Sequence, residues 1–160
     1  MTEQRCILGI DPGASGAIAF YFTNAADRVS VKDMPTVDGA ISSALLADII
    51  RCHGPCVAVI EAVGAMPGQG VSSMFNFGKA FGQAIGVVGA LKIPAHFVTP
   101  GKWKKHYRLS ADKEECRARA LQLFPACAEH FARKKDHGRA EAALIAKFGA
   151  ETLFPWSAAA

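Results

Sequence analysis

Long apolar runs are missing from this sequence of 160 residues, because glycine and polar residues interrupt even the longest candidate, 71–91. A membrane-crossing helix needs roughly 18 apolar residues in a row, so no membrane partner is expected. A signal peptide is also missing, and the five cysteines, at positions 6, 52, 56, 116 and 127, are odd in number and irregularly spaced. These absences predict a soluble cytoplasmic protein with reduced thiols.

A zinc site is not expected either. Cys52, His53 and Cys56 supply only three ligands, no second pair follows in the sequence, and Cys56 begins an apolar run. Repeats and long linkers are absent, so residues 1–160 are predicted to form one domain, which is long enough to bury a core without disulfides.

Positive charge is concentrated in the C-terminal third. Residues 1–95 hold 6 Lys and Arg against 7 Asp and Glu, whereas residues 96–160 hold 12 against 7. The modest total of +4 therefore hides a basic segment. Such asymmetry favours a polyanionic partner, with a solvated basic face as the alternative.

Hydrophobic patterning predicts a mixed α/β layer structure. Three strands in an antiparallel meander come first, then a helix, a buried strand, a long helix, a short strand and further helices. The predicted strands are 6–10, 17–22, 28–32, 56–60 and 95–98, and the predicted helices are 38–51, 71–91, 100–106, 112–124 and 140–153. Gly78, Gly82 and Gly86 share one face of the long helix, which predicts close contact with another element.

Two predicted strands end in an acid, Asp11 and Glu61. If these strands are adjacent, the two carboxylates emerge together, in an arrangement that suits hard divalent cations. Each acid could instead serve as a cap or a salt-bridge partner, and Asp11 begins an Asp-Pro-Gly sequence that is also typical of turns. No Ser/His/Asp or Cys/His arrangement suggests a side-chain nucleophile.

A further pair of acids, Asp136 and Glu141, flanks the start of the last predicted helix. Together, the segments 7–13 (ILGIDPG), 59–61 (VIE) and 134–142 (KKDHGRAEA) resemble the RuvC-type Holliday-junction resolvases of the ribonuclease-H-like superfamily, in particular the phage and plant-organelle branch. The resemblance extends from about residue 5 to residue 150. It implies a ribonuclease-H-like fold, with a five-stranded mixed sheet whose first three strands are antiparallel and with helices on both faces.

The same resemblance implies a homodimer that nicks two strands of a four-way DNA junction symmetrically, in DNA recombination, repair or phage DNA processing. The expected setting is the cytoplasm of a bacterial cell or of a phage-infected host. Asp11, Glu61, Asp136 and Glu141 would bind two Mg²⁺ or Mn²⁺ ions in each active site. Lys113 matches a family lysine near the scissile phosphate, although it could also be an ordinary surface lysine.

The spacing of the last two acids leaves one ligand open. Positions five apart lie about 140° around a helix, so Asp136 can join Glu141 only from the preceding turn. His137, four residues before Glu141, is the alternative ligand or general base.

Two groups of residues are candidates for DNA contacts. Basic residues on two segments would hold phosphates, namely Lys102, Lys104, Lys105, Arg108, Arg133, Lys134, Lys135 and Arg139. Residues after Glu61 occupy the position where this family probes bases, namely Gln69, Ser72, Ser73, Met74 and Phe75. Core packing is the commoner role for Met74 and Phe75, and also for Trp103 and Tyr107, which could otherwise stack on bases.

Two other functions compete with junction cleavage. The segment 9–16 also looks like the first phosphate loop of sugar kinases and actin-like ATPases, but 160 residues leave no room for their second domain, so no nucleotide cofactor is expected. The other alternative is a module of the same fold that binds branched DNA without cutting it.

Overall fold

A computed structural model describes residues 4–154. The strands are β1 (Cys6–Asp11), β2 (Ala17–Phe22), β3 (Val29–Asp33), β4 (Thr36–Val37), β5 (Ala40–Ile41), β6 (Val57–Glu61) and β7 (Ala95–Val98). The α-helices are α1 (Ser43–His53), α2 (Val71–Ala90), α3 (Pro100–His106), α4 (Lys113–Leu123) and α5 (His137–Leu153). Two 3₁₀ segments, Pro125–Phe131 and Lys134–Asp136, connect α4 to α5.

Five strands form one mixed sheet in the order β3-β2-β1-β6-β7. The first three are antiparallel neighbours, whereas β6 runs parallel to both β1 and β7. The predicted five-stranded sheet and its antiparallel start are confirmed. β1 lies at the centre of the sheet, and its residues are buried up to Ile10, which explains why this strand reads as a continuous apolar run.

Helices cover both faces of the sheet. Alternate residues of β1 point to opposite sides, so Ile7 joins the core under α4 and α5, while Leu8 and Ile10 join the core under α1 and α2. Trp103 of α3 and Tyr107, which directly follows this helix, are buried in the first of these cores. Their packing role is thereby confirmed, and stacking of either ring on bases is not supported.

Helix α5 lies directly against the central strand. A Cβ at Gly9 would collide with the backbone of α5 at Ala142 and Ala146. Glycine therefore lets the helix backbone touch the strand, and α5 is buried further by its contacts with β2 and α4. Ala140, Leu144 and Phe148 follow the spacing of one helical face, which is typical of an inward face, and all three are buried.

Three local predictions were wrong. The helix predicted over 38–51 begins only at Ser43, because residues 36–41 form the β4-β5 hairpin, whose turn places Asp38 and Gly39 at positive φ. The last helix begins at His137 rather than at Ala140. Gly78, Gly82 and Gly86 contact no other element of the described chain, since a Cβ at any of them would meet no atom within 4 Å.

None of the helices within residues 4–154 combines the length and the apolar character that crossing a membrane requires.

Candidate active site

Asp11 and Glu61 lie side by side at one edge of the sheet. β1 and β6 are parallel neighbours with Ile10 paired to Ile60, so the acid that follows each of them leaves the sheet at the same end. Glu141 reaches this edge from the first two turns of α5, which packs on β1. The structure thus brings together three of the four predicted acids.

Burial raises the pKa of all three carboxyls, and repulsion from neighbouring acids adds to it at Asp11 and Glu61. Burial raises the pKa of Asp11 well above its usual value, and the charges of Glu141 and Glu61 raise it further. Burial also raises the pKa of Glu61 and of Glu141. Negative charges held together in this way favour a cation between them, and such perturbed groups in one place are typical of functional sites.

Two lysines oppose this repulsion. Lys104 Nζ lies 3.8 Å from Glu141 Oε1. The positive charges of Lys104 and Lys113 both act to lower the pKa of Asp11 and of Glu141. Lys104 was predicted to contact DNA phosphates, and the structure places it among the acids.

The charge of Lys113 acts on two acids of the site, whereas the carboxylates next to it in α4 have other partners. Glu114 Oε2 accepts a 2.7 Å hydrogen bond from Arg117, and Glu115 Oε2 accepts one of 2.7 Å from the Ser110 backbone. Lys113 is itself exposed, so both its role near the scissile phosphate and that of an ordinary surface lysine stay open.

Trp103 is a site residue that the sequence did not reveal. Its side chain is fully buried, and its indole Nε1–H donates a 2.7 Å hydrogen bond to Glu61 Oε2. Thr99 caps α3 and Pro100 occupies its first turn, so the start of this helix was readable from the sequence. The contact of its indole with the acid that ends β6 was not.

Gly138 brings the first turn of α5 against Asp11. A Cβ at this position would lie 3.2 Å from Asp11 Oδ2 and 3.3 Å from the Ser15 carbonyl oxygen. Only a residue without a side chain lets the helix approach this closely without displacing the carboxylate.

Asp136 is held by arginines instead of facing the other acids. Arg133 donates hydrogen bonds from its side chain to both carboxylate oxygens and from its backbone N–H to Oδ2. Burial alone would raise the pKa of Asp136, but the bonds and charge of Arg133, together with the charge of Arg139, hold it below its usual value. Asp136 therefore closes the turn that leads into α5.

His137 occupies the first position of α5, on the same helical face as Glu141 four residues later. Burial and the charge of Lys113 lower the pKa of His137, while Glu114 and Asp136 act in the opposite direction. The charge of Lys113 thus lowers the pKa of Asp11, Glu141 and His137. The pKa of Asp136 is lowered by Arg133 and Arg139 instead.

Comparison with solved structures identifies the fold. The structure of Thermus thermophilus RuvC in complex with a Holliday junction substrate matches with a TM-score of 0.63 and 15% identity, over 92% of this chain and 95% of that one. A second structure of Thermus thermophilus RuvC matches with a TM-score of 0.62 and 16% identity, over 91% and 95%. This chain has a RuvC-like fold. The sequence itself matches no protein-family model and no curated protein.

The RuvC-like fold confirms the predicted ribonuclease-H-like architecture across almost the whole chain. At 15–16% identity the likeness is one of fold, so the assignment to the phage and plant-organelle branch stays a prediction.

The segment after Glu61 is exposed in this RuvC-like fold. Gln69 precedes α2, and Ser72, Ser73 and Phe75 lie in its first turns. Phe75 is 70% exposed, so the prediction of core packing was wrong for this residue, whereas Met74 is half-buried.

Most of the predicted phosphate-binding residues are exposed, as such a role requires. This holds for Lys102, Lys105, Arg108, Arg133, Lys134 and Lys135. Arg139 differs, because it donates two hydrogen bonds, of 2.7 and 2.9 Å, to the Asp33 carboxylate at the end of β3. These bonds hold the start of α5 against the end of β3, much as Asp136 holds the turn before α5.

The donor set of the site fits a hard divalent cation. Carboxylate oxygens are the ligands that Mg²⁺ and Mn²⁺ prefer, and a cation would relieve the repulsion that contributes to the raised pKa of Asp11 and of Glu61. Within residues 4–154, however, no three His, Cys, Asp or Glu side chains are close enough together to hold a metal as they stand. Glu141 is paired with Lys104, so binding requires side chains of the site to move.

Proposed function

We propose that this chain is a metal-dependent endonuclease that cleaves four-way DNA junctions. One observation carries the proposal. Asp11, Glu61 and Glu141 lie at one edge of a RuvC-like sheet, and the charges of Lys104 and Lys113 act on them. The fold alone would not specify a reaction, because one fold supports many functions. Acids and lysines gathered at one point provide the chemistry that hydrolysis of a phosphodiester needs.

Asp11, Glu61 and Glu141 would hold Mg²⁺ or Mn²⁺, two ions in each site. Such ions supply Lewis acidity at the scissile phosphate. Lys104 and Lys113 contribute positive charge where negative charge grows during the reaction, and the partial burial of Lys104 makes its charge more effective than it would be in water. Lys113 retains the catalytic role that was predicted for it, and Lys104 joins it.

DNA would approach along the basic surface next to these lysines. A groove of about 750 Å³ beside α3 is lined by Lys104, Lys105 and Arg108, so it connects the site with exposed positive charge. Lys102 lies on the same helix, and Arg133, Lys134 and Lys135 precede α5. Gln69, Ser72, Ser73 and Phe75 would face the bases at the junction centre.

We further propose that His137, rather than Asp136, completes the metal site. Asp136 is bonded to Arg133 through both oxygens, whereas His137 shares a helical face with Glu141. His137→Ala is expected to weaken Mn²⁺ binding by about 10-fold or more. Asp136→Asn is expected to leave that affinity unchanged and to lower the free energy of unfolding by about 1–3 kcal/mol.

Calorimetric titration with Mn²⁺ and chemical denaturation of both variants test this assignment. Weaker Mn²⁺ binding in Asp136→Asn, together with unchanged binding in His137→Ala, would restore Asp136 as the ligand.

The homodimer is also a proposal, and the exposed glycine face of α2 supports it. No described atom lies within 4 Å of a Cβ placed at Gly78, Gly82 or Gly86, so the helix of a second copy could approach closely there. Two copies would set two sites on one symmetric junction. Sedimentation should give twice the 16.9 kDa mass of the chain, and a monomer at micromolar concentration would contradict the dimer.

The biological setting that we propose is recombination, repair or phage DNA processing, in the cytoplasm of a bacterial cell or of a phage-infected host.

An inactive module that only binds branched DNA is the competing function. The test incubates a synthetic four-way junction with the protein, first in EDTA and then in Mg²⁺ or Mn²⁺. Binding in EDTA followed by paired nicks on addition of the metal is expected. A junction that is bound but stays intact in both metals would favour the binding module.

A further inference from the structure

The indole of Trp103 touches two groups of the candidate site. Its Nε1–H donates a 2.7 Å hydrogen bond to Glu61 Oε2, and Lys104 Nζ lies 5.3 Å from the centre of its ring. The side chain is fully buried, so its orientation is fixed by the packing around it. Glu61 and Lys104 thus both contact the same rigid indole.

The donor to Glu61 carries no charge, and this matters for a cation ligand. A guanidinium would orient a carboxylate equally well but would also neutralise it, as Arg133 does at Asp136. The indole N–H is a neutral donor, so Glu61 keeps its negative charge while its orientation is fixed. One hydrogen bond also leaves most of the acceptor capacity of a carboxylate for a cation.

The face of the ring performs a second task. A lysine ammonium is attracted to the π face of tryptophan, most strongly where water is partly excluded. Lys104 has only 19% of its side chain exposed, and its Nζ also lies 3.8 Å from Glu141 Oε1. The ring therefore holds Lys104 on the side of the site that Glu141 occupies.

We propose that Trp103 is a positioning residue: its N–H orients Glu61 for cation binding, and its ring holds Lys104 beside Glu141. The inference rests on the proposed function for the reaction that follows, but it concerns cation binding by the free protein and can be tested without DNA.

The first experiment measures Mn²⁺ binding to the full chain by calorimetry. Trp103→Phe keeps an aromatic ring but removes the N–H, and it should weaken Mn²⁺ binding by about 10-fold, which is typical when a group that orients a metal ligand is lost. Tyr107→Phe is the matched control, since it removes a 3.1 Å hydrogen bond to Glu151 one turn further along the chain, away from the acids. Unchanged binding in Trp103→Phe, or an equal loss in both variants, would overturn the proposal.

A second measurement does not depend on the folding of Trp103→Phe. The chain has two tryptophans, so ¹⁵N-labelled indoles give two resonances, and Glu61→Gln should shift the one from Trp103 upfield because a neutral amide is a weaker acceptor. Mg²⁺ should shift the same resonance in the wild-type protein. If neither change moves either indole resonance, the proposal fails, whether or not the chain cuts DNA. Shifts without cleavage of any junction would count against the proposed function alone.

Discussion

Asp11→Asn is expected to abolish junction cleavage, by about 1,000-fold or more, while junction binding in EDTA stays within a few-fold of wild type. The loss corresponds to about 4 kcal/mol of barrier height, at 1.36 kcal/mol for each tenfold change in rate. The charges of Glu61 and Glu141 both act on Asp11, and Gly138 packs against its carboxylate. The negative charge of Asp11 is therefore central to holding a cation. Binding should persist because, in the proposed function, exposed basic residues elsewhere hold the DNA.

The same substitution should make the protein more stable. A carboxyl whose pKa is raised by folding favours the protonated form, so its contribution to stability falls as the pH rises above the pKa of the unfolded chain. At pH 7 the wild-type protein carries this penalty, and a neutral Asn removes it. We therefore expect a higher Tm for Asp11→Asn, because active sites often hold charge at the expense of stability.

Asp48→Asn serves as the control, because Asp48 is an exposed acid on α1 whose partner is Arg51 on the same helix. It should change neither cleavage nor Tm. A lower Tm for Asp11→Asn, together with weaker junction binding, would instead make Asp11 a structural residue.

Gly9→Ala is expected to have the largest effect on folding. The new Cβ would collide with the Ala142 carbonyl oxygen and lie 2.5 Å from the Ala146 backbone nitrogen. Both are atoms of the α5 backbone, which cannot move aside as a flexible side chain can, so α5 must shift away from β1. A cost of about 3 kcal/mol or more is expected, at the upper end of the range for overpacked cores.

Chemical denaturation measures this cost, with Gly101→Ala in α3 as the control. A Cβ at Gly101 would meet no described atom within 4 Å, and alanine is the better helix former, so stability should be unchanged or slightly higher. Equal stability of Gly9→Ala and wild type would show that α5 does not lie against β1 as described. Since α5 carries Glu141, a shift of this helix should also impair cleavage.

The sequence predicted the acids that end buried strands because the local pattern places them. Asp11 and Glu61 each follow an apolar run, and neighbouring parallel strands end at the same edge of a sheet. Glu141 could be assigned through the resemblance, and the burial of Ala140, Leu144 and Phe148 was readable from helical spacing. These features depend on residues close together in the chain.

Tertiary contacts decided what the sequence did not predict. The bond between Trp103 and Glu61 joins residues 42 positions apart and exists only because the fold places the indole of α3 against the carboxylate that ends β6. Asp136 shows a different difficulty, since Arg133 is only three residues away and captures the carboxylate locally. The glycines of α2 share one face as predicted, but spacing cannot indicate whether another part of the same chain covers that face.

Cleavage rates on four DNA substrates test the central claim most directly. A four-way junction, a Y-fork, a flap and a linear duplex of matched sequence would be incubated with the wild-type protein in Mg²⁺ or Mn²⁺, with Asp11→Asn and EDTA as controls. We expect paired symmetric nicks in the four-way junction, at a rate well above that of the other three, and no cutting in either control. Equal cutting of linear duplex, or cutting that persists in EDTA, would contradict a metal-dependent junction endonuclease.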